Sequence, residues 1–317
     1  MRDRLATAFL GRGLTTPLVL PAGMVGMSSS SLKRAIDSGA GMVTTKSFTI
    51  EARAGHPGPV VAEFDGGLLN CLGLCNPGIT DGLTEIGEFR RVCSAPLIVS
   101  VFGTTESEYA TLARIVHGSA ADFLELNLSC PNVGEEFGAA IASSPEAVRA
   151  MVAAAKGESS IPVIAKLSPN TDHIAGIARA AVDAGADAIS LINTLGPGMA
   201  IDIIAERPIL SNLVGGVSGP AVKPIAVRSI FEVRKEVNVP IIGMGGVSTG
   251  EDAVELMMAG ADLIGIGTAV CYGGVSVFGR VGAEIISFLD QTGRDSVAEI
   301  DRLGISSRAS SCTPSHA

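Results

Sequence analysis

The chain has 317 residues, 47% of them hydrophobic and 4% aromatic, with 39 glycines and a formal net charge of −9. That length suits one large α/β unit or two ordinary domains, and the composition demands an aliphatic, tightly turned core. The acidic balance and the absence of any Lys/Arg run argue against a nucleic-acid partner and an anionic membrane surface. No stretch reaches the roughly 18 uninterrupted apolar residues of a membrane span. The opening MRDRLATAFLGRG has its apolar run cut by Arg12 and is a poor signal peptide. Cysteines at 71, 75, 93, 130, 271 and 312 form no CxxC pair and no metal-spaced set with histidine. This points to a reducing, cytoplasmic setting.

Two short patterns alternate along the chain. AIDSGAGMVTTKS (35 to 47), AVDAGADAISLIN (181 to 193) and LMMAGADLIGIGT (256 to 268) each end a helix on Gly-Ala and open a strand, with SAADFLELNLS (119 to 129) as a weaker copy. Glycine just past a helix end adopts the left-handed conformation cheaply. APLIVSVFG (95 to 103), IPVIAKLSP (161 to 169) and VPIIGMGGV (239 to 247) each place a proline at a strand entrance, where it is tolerated.

In chain order this predicts strands near 18 to 21, 42 to 46, 97 to 102, 123 to 128, 163 to 167, 188 to 193, 240 to 244 and 263 to 267. Helices are predicted at Ser107–His117, Pro145–Ala155, Ile174–Ala184, Pro224–Glu236 and Gly250–Ala259. Eight apolar strands alternating with amphipathic helices imply a (β/α)8 TIM barrel, whose site lies at the C-terminal strand ends. Residues 48 to 92, 129 to 144 and 194 to 222 exceed ordinary loop length and are expected to cover that face. The expected organisation is one barrel domain over 1–303 and a polar, serine-rich, disordered tail over 304–317.

The stretch DFLELNLSCPNVGEEFG (122 to 138) runs from an apolar strand into Asn127, Ser129, Cys130 and Asn132, grouped around Pro131. A thiol there can accept a proton, and asparagines offer donors and acceptors to a planar, amide-rich ligand. Read alone, Cys130 is better taken as a small buried hydrophobe at a strand end, which is what most cysteines are.

Strand seven ends in Gly243-Met244-Gly245-Gly246 and strand eight in Gly265-Ile266-Gly267-Thr268, the two places where such barrels hold a phosphate. Lys46 ends strand two. Lys166 lies inside an otherwise apolar strand, where an ammonium calls for an anionic or electron-rich partner. These residues alone do not separate a flavin mononucleotide from a sugar phosphate.

N-L-S-C-P-N-V followed by F-G resembles the catalytic loop of the dihydroorotate dehydrogenases, flavin enzymes of pyrimidine synthesis, and the resemblance runs from about residue 17 to 290. T-K-S (45 to 47) is similar to the segment whose lysine contacts both flavin and substrate, GLLNCLGLCNPG (67 to 78) to the substrate loop, N-T (193 to 194) to a further substrate-binding pair, and GGVSGPAVKP (215 to 224) to the flavin-phosphate loop. Two positions depart from the family pattern. Ala22-Gly23-Met24 stands where relatives carry Ala-Ser-Gly, and Ser100 where asparagine is expected.

The resemblance implies oxidation of dihydroorotate to orotate in de novo pyrimidine biosynthesis, with Cys130 as base. It implies substrate contacts at Lys46, Asn70, Leu72, Gly73, Leu74, Asn127, Asn132, Asn193 and Thr194. FMN, one per chain, is expected at Ala22, Gly23, Lys46, Ser47, Ser100, Asn127, Lys166, Ile192, Gly219, Gly245, Gly246, Gly267 and Thr268, with no metal. A cysteine base marks the soluble branch, and GEEFG looks like the enzymes that pass electrons to NAD through a partner subunit carrying FAD and an iron-sulfur cluster. A homodimer is expected, alone or within such a heterotetramer. The competing readings are a dihydrouracil-type dehydrogenase on the same barrel, and a flavin-free aldolase or isomerase with Lys166 as its Schiff base.

Overall fold

The structure, a computed structural model, describes residues 2–25, 28–128 and 144–303. Eight parallel strands close a barrel: β1 (Leu18–Leu20), β2 (Met42–Thr44), β3 (Leu97–Val101), β4 (Phe123–Asn127), β5 (Val163–Lys166), β6 (Ala188–Leu191), β7 (Ile241–Met244) and β8 (Leu263–Gly265), paired in that order with β8 returning to β1. Between them run α1 (Ser29–Asp37), α2 (Ile79–Val92), α3 (Glu106–His117), α4 (Pro145–Glu158), α5 (Ile174–Asp183), α6 (Lys223–Glu236) and α7 (Gly250–Ala259). Two more helices, α8 (Thr268–Gly273) and α9 (Val277–Thr292), follow β8.

The helix starts are written in the sequence. Ser28, Thr105, Ser144 and Thr249 each accept a backbone N–H three positions on, and Asp252 returns a bond to complete a capping box with Thr249. The repeated Gly-Ala marks the helix ends, where Gly39, Gly185 and Gly260 take φ of +111°, +101° and +123°.

Structure also joins the two sequence patterns. The aspartate after each Gly-Ala, or its equivalent, accepts the first N–H of the preceding proline-headed strand. Asp122 binds the N–H of Leu97 at 2.9 Å, Asp187 that of Val163 at 2.7 Å, and Asp262 that of Ile241 at 2.7 Å. A cation from the helix that leads into that strand, Arg90, Lys156 or Arg234, meets the same carboxylate. The copy that carries Gly41 instead has no room for a side chain, since a Cβ there would lie 2.1 Å from the carbonyl oxygen of Thr16. All these contacts lie at the N-terminal end of the barrel, the face whose residues serve stability.

Inside the barrel one residue from each strand forms an apolar floor: Val19, Met42, Ile98, Phe123, Ile164, Ala188, Ile242 and Leu263. A hairpin of Thr7–Phe9 and Arg12–Leu14 plugs the barrel below this floor, with Phe9 edge-on to Phe123 at 5.4 Å. The opposite strand faces pack against the helices in one continuous aliphatic layer.

The long excursions are not simple loops. Leu195–Gly198, Gly215–Ser218, Gly67–Asn70 and Val61–Phe64 form a four-stranded antiparallel sheet that joins the excursions after β2 and β6. The first excursion also contains α2, whose interior Gly82 and Gly87 disguise it as a turn. Gly82 is there because the Phe48 ring lies 2.8 Å from where a Cβ would point. Of the excursion from 129 to 144, all but Ser144 lies outside the described residues, as does the tail from 304. Among the described residues no helix is long and apolar enough to cross a membrane.

Candidate active site

Two adjoining cavities open at the C-terminal mouth of the barrel beneath the antiparallel sheet. They share Ala22, Met24, Asn70, Lys166, Asn193, Thr194, Ser218 and Thr268, so they form one elongated space with two chemically different ends.

One end is edged by glycine. Gly219, Gly245, Gly246 and Gly267 line it, interleaved with the hydroxyl side chains of Ser218, Ser248 and Thr268. Gly246 has φ +79°, and a Cβ on it would lie 2.6 Å from that of Lys223. The Thr268 hydroxyl donates to Ser218 at 2.9 Å, tying the start of α8 to the cover sheet. Backbone amides exposed by glycine, together with hydroxyls, suit a phosphate. Lys223 stands behind this end, bound to Asp252 at 2.7 Å and Glu255 at 2.8 Å. Those two hydrogen bonds hold its ammonium above its usual range.

Lysines, asparagines and the loop Leu72-Gly73-Leu74 surround the other end, with Gly23, Lys46, Ser47 and Asn127 lining it. Lys46 follows β2 and its Nζ would lie 3.5 Å from a Cβ on Gly23, so the serine that relatives carry there would meet it. Asn127 and Lys166 are register partners at the ends of β4 and β5. Tyr109, fully buried, donates to the Asn127 carbonyl at 2.8 Å and fixes that strand end. Asn70 reaches the carbonyl of Gly216 at 3.4 Å, and Asn193 accepts the N–H of Thr194 at 2.8 Å. Ile192 lines the glycine-edged end.

Ser100 stands apart. It lines neither cavity and is fully buried behind Ser47, whose hydroxyl lies 2.9 Å away. Its side chain points into the barrel beneath the site, because inward residues alternate along β3 and position 100 lies one layer above the floor. Cys130 and Asn132 lie outside the described residues.

Several residues escaped the sequence reading. Asn76 accepts the N–H groups of Thr49 and Gly78 and donates to the Leu74 carbonyl at 2.7 Å, and His56 Nδ1 donates to Cys71 at 2.8 Å. Together they fix a loop in which Gly73 and Leu74 both have positive φ. The Asn-Pro-Gly at 76 to 78 carried that signal. Glu125, 2% exposed within β4, pairs with Lys166 at 4.0 Å. A charged residue at an inward strand position was its signal.

Fold and cavity define a (β/α)8 barrel with a phosphate-type end and a lysine- and amide-rich end meeting at the barrel mouth. Residues 4–289 match the family described as dihydroorotate dehydrogenase. The dihydroorotate dehydrogenase B (NAD(+)) catalytic subunit of Methanothermobacter thermautotrophicus is 43% identical over 93% of this chain and 97% of its own. That of Pyrococcus furiosus is 46% identical over 90% and 93%. The chain belongs to the dihydroorotate dehydrogenase family, whose members are flavin-dependent. A crystal structure of ligand-free DHODH from Eimeria tenella superposes with a TM-score of 0.82 over 95% of this chain and 91% of that one. At 22% identity, that likeness speaks to the fold.

Proposed function

We propose that this chain is the catalytic subunit of an NAD-linked dihydroorotate dehydrogenase, oxidising dihydroorotate to orotate for pyrimidine synthesis. One observation carries the reading: a glycine-edged, hydroxyl-lined cavity adjoins one lined by Lys46, Asn70, Asn127, Asn193 and Thr194, and the two share Asn70, Lys166, Asn193 and Thr194. The first suits the phosphate of FMN. The second suits a flat ligand with amide edges and a carboxylate, which asparagines and an ammonium recognise. The residues present fit FMN, with Lys166 shared by both cavities and so available to the ring.

Bound FMN would supply the acceptor for the hydride that leaves C6. Cys130, assigned on the sequence, takes the C5 proton. Asn70, Asn127, Asn132 and Asn193 hold the pyrimidine ring, and Lys46 the carboxylate, so that C6 is presented in one orientation. The relatives' designation as catalytic subunits of an NAD(+) enzyme supports onward transfer to NAD and a partner subunit; the FAD and iron-sulfur cluster assigned to that subunit rest on the resemblance of the sequence alone.

The experiment is anaerobic mixing of the purified protein with dihydroorotate while following the flavin absorption band, with dihydrouracil as control. Bleaching by dihydroorotate alone is the expected result. Colour that survives dihydroorotate but fades with dihydrouracil, or a protein that carries no flavin, would overturn the proposal. Replacing Cys130 by alanine should abolish bleaching and leave the flavin bound.

A further inference from the structure

Directly above the apolar floor, the barrel carries a polar layer. Two residues beyond Ile98, Phe123, Ile164 and Ala188 on their strands stand Ser100, Glu125, Lys166 and Ser190, each 6% exposed or less. The Ser100 hydroxyl donates to Glu125 Oε1 at 3.0 Å, and the Ser190 hydroxyl to Oε2 at 2.9 Å. Lys166 Nζ lies 4.0 Å from Oε1, too far for a hydrogen bond, so charge alone couples it to Glu125. Its ammonium donors are thereby left to the cavities that it lines. A carboxylate this deep is costly unless paired and hydrogen-bonded. Simple filling of the barrel is achieved by apolar side chains one layer below.

The carboxylate also sets a direction. Ser100 has one proton and gives it to Glu125, so in the 2.9 Å contact between Ser47 and Ser100 the donor is Ser47. Ser47 in turn accepts from Asn127 Nδ2 at 3.2 Å. Every donor from Asn127 through Ser47 and Ser100 therefore points at Glu125. Asn127, Ser47 and Lys166 all line the cavity, so one buried charge is connected to both of its walls.

We infer that Glu125 is a positioning residue of the flavin site, holding the Lys166 ammonium beside the flavin ring and orienting Ser47 and Asn127 through Ser100. This rests on the assignment of FMN to the cavity. Without its counter-charge, a nearly buried ammonium either swings towards solvent or sheds its proton. In both cases the fixed positive charge that favours reduced, electron-rich flavin is weakened.

The test is titration of the apoprotein with oxidised and with reduced FMN, which reads binding without turnover. Glu125→Gln should lower the ratio of reduced to oxidised affinity about tenfold, a fall of about 30 mV in the two-electron potential. Lys166→Met should lower it at least as far. The double variant should fall no lower than Lys166→Met alone, and Glu125→Asp, which keeps the charge, should lie nearer wild type than Glu125→Gln. An unchanged or raised ratio in Glu125→Gln overturns the inference. So does a Glu125→Gln loss that recurs in full in the Lys166→Met background, since the Lys166 ammonium would then carry none of the effect. Circular dichroism screens each variant for folding. If Glu125→Gln fails to fold, Ser190→Ala replaces it: a smaller shift in the same direction supports the role, and no shift overturns it. A wild-type protein that binds no FMN refutes the proposed function instead, and is read before any variant.

Discussion

Thr194 rests against the bare face of Gly216: a Cβ on that glycine would lie 2.1 Å from the threonine Oγ1. Gly216 is also the register partner of Asn70 and accepts a hydrogen bond from its side chain. One strand position thus seats two proposed substrate contacts that come from separate excursions. Gly216→Ala should displace Thr194 and raise the KM for dihydroorotate about tenfold to a hundredfold, the usual scale for a misplacement of about 1 Å. FMN should stay bound. Steady-state kinetics on the flavin-loaded variant decide the matter, and an unaltered KM removes Thr194 from the substrate site.

Gly246 makes the equivalent case at the glycine-edged end. Its φ of +79° is strained for any side chain, and a Cβ would also press on Lys223. Gly246→Ala should weaken FMN about tenfold to a hundredfold, since about 1.4 kcal/mol is tenfold in affinity. Fluorescence titration of the apoprotein with FMN measures this. An affinity equal to wild type would show that the phosphate lies elsewhere.

The barrel was legible because its signals are local. Each Gly-Ala helix end and each proline-headed strand is set by a few neighbouring residues, and five helices fall within three residues of their sequence-based limits. The cavity-lining lysines and glycines were legible for the same reason, as strand-end residues of a known fold. What sequence could not show was partnership at a distance. Lys166 called for a counter-charge, but nothing in FLELN indicates that Glu125 lies across from it and is shared by Ser100 and Ser190. Nor does any local pattern say that residues 61 to 70 and 195 to 218 form one sheet, because that pairing spans more than a hundred residues.

Behind the glycine-edged end, Asp252 accepts the N–H groups of Ser248 and Thr249, each at 2.9 Å, and the Lys223 ammonium at 2.7 Å. Burial pushes this carboxyl up, but those hydrogen bonds outweigh it and hold it below the usual aspartate range. With the folded value below the unfolded one, the stability it confers is complete above about pH 4 and is lost as pH falls through the folded value. Asp252→Asn should therefore cost about 1–3 kcal/mol at pH 7, with the gap to wild type closing as the pH is lowered below about 4. Urea denaturation at stepped pH reads the difference. A gap that persists undiminished in acid would mean that the ionised carboxylate is not its source.

The aspartates at the N-terminal end of the barrel should separate stability from function. Asp187→Ala leaves the Val163 N–H without its acceptor and releases Lys156, whose side chain is 28% exposed and can be rehydrated. The expected cost is about 1–3 kcal/mol. Asp262→Ala removes the same kind of strand cap at Ile241, but it also takes the counter-charge from Arg234, whose side chain is only 5% exposed, and removes one partner of Arg302. An uncompensated buried guanidinium raises the expected loss to about 3–5 kcal/mol. Both positions lie at the opposite end of the barrel from the cavities, so FMN affinity should match wild type in each variant that remains folded. Denaturant unfolding beside FMN titration tests both halves. Equal costs for the two variants would argue against the buried charge as the deciding term, and a loss of FMN affinity in either would mean that strand entrances influence the barrel mouth.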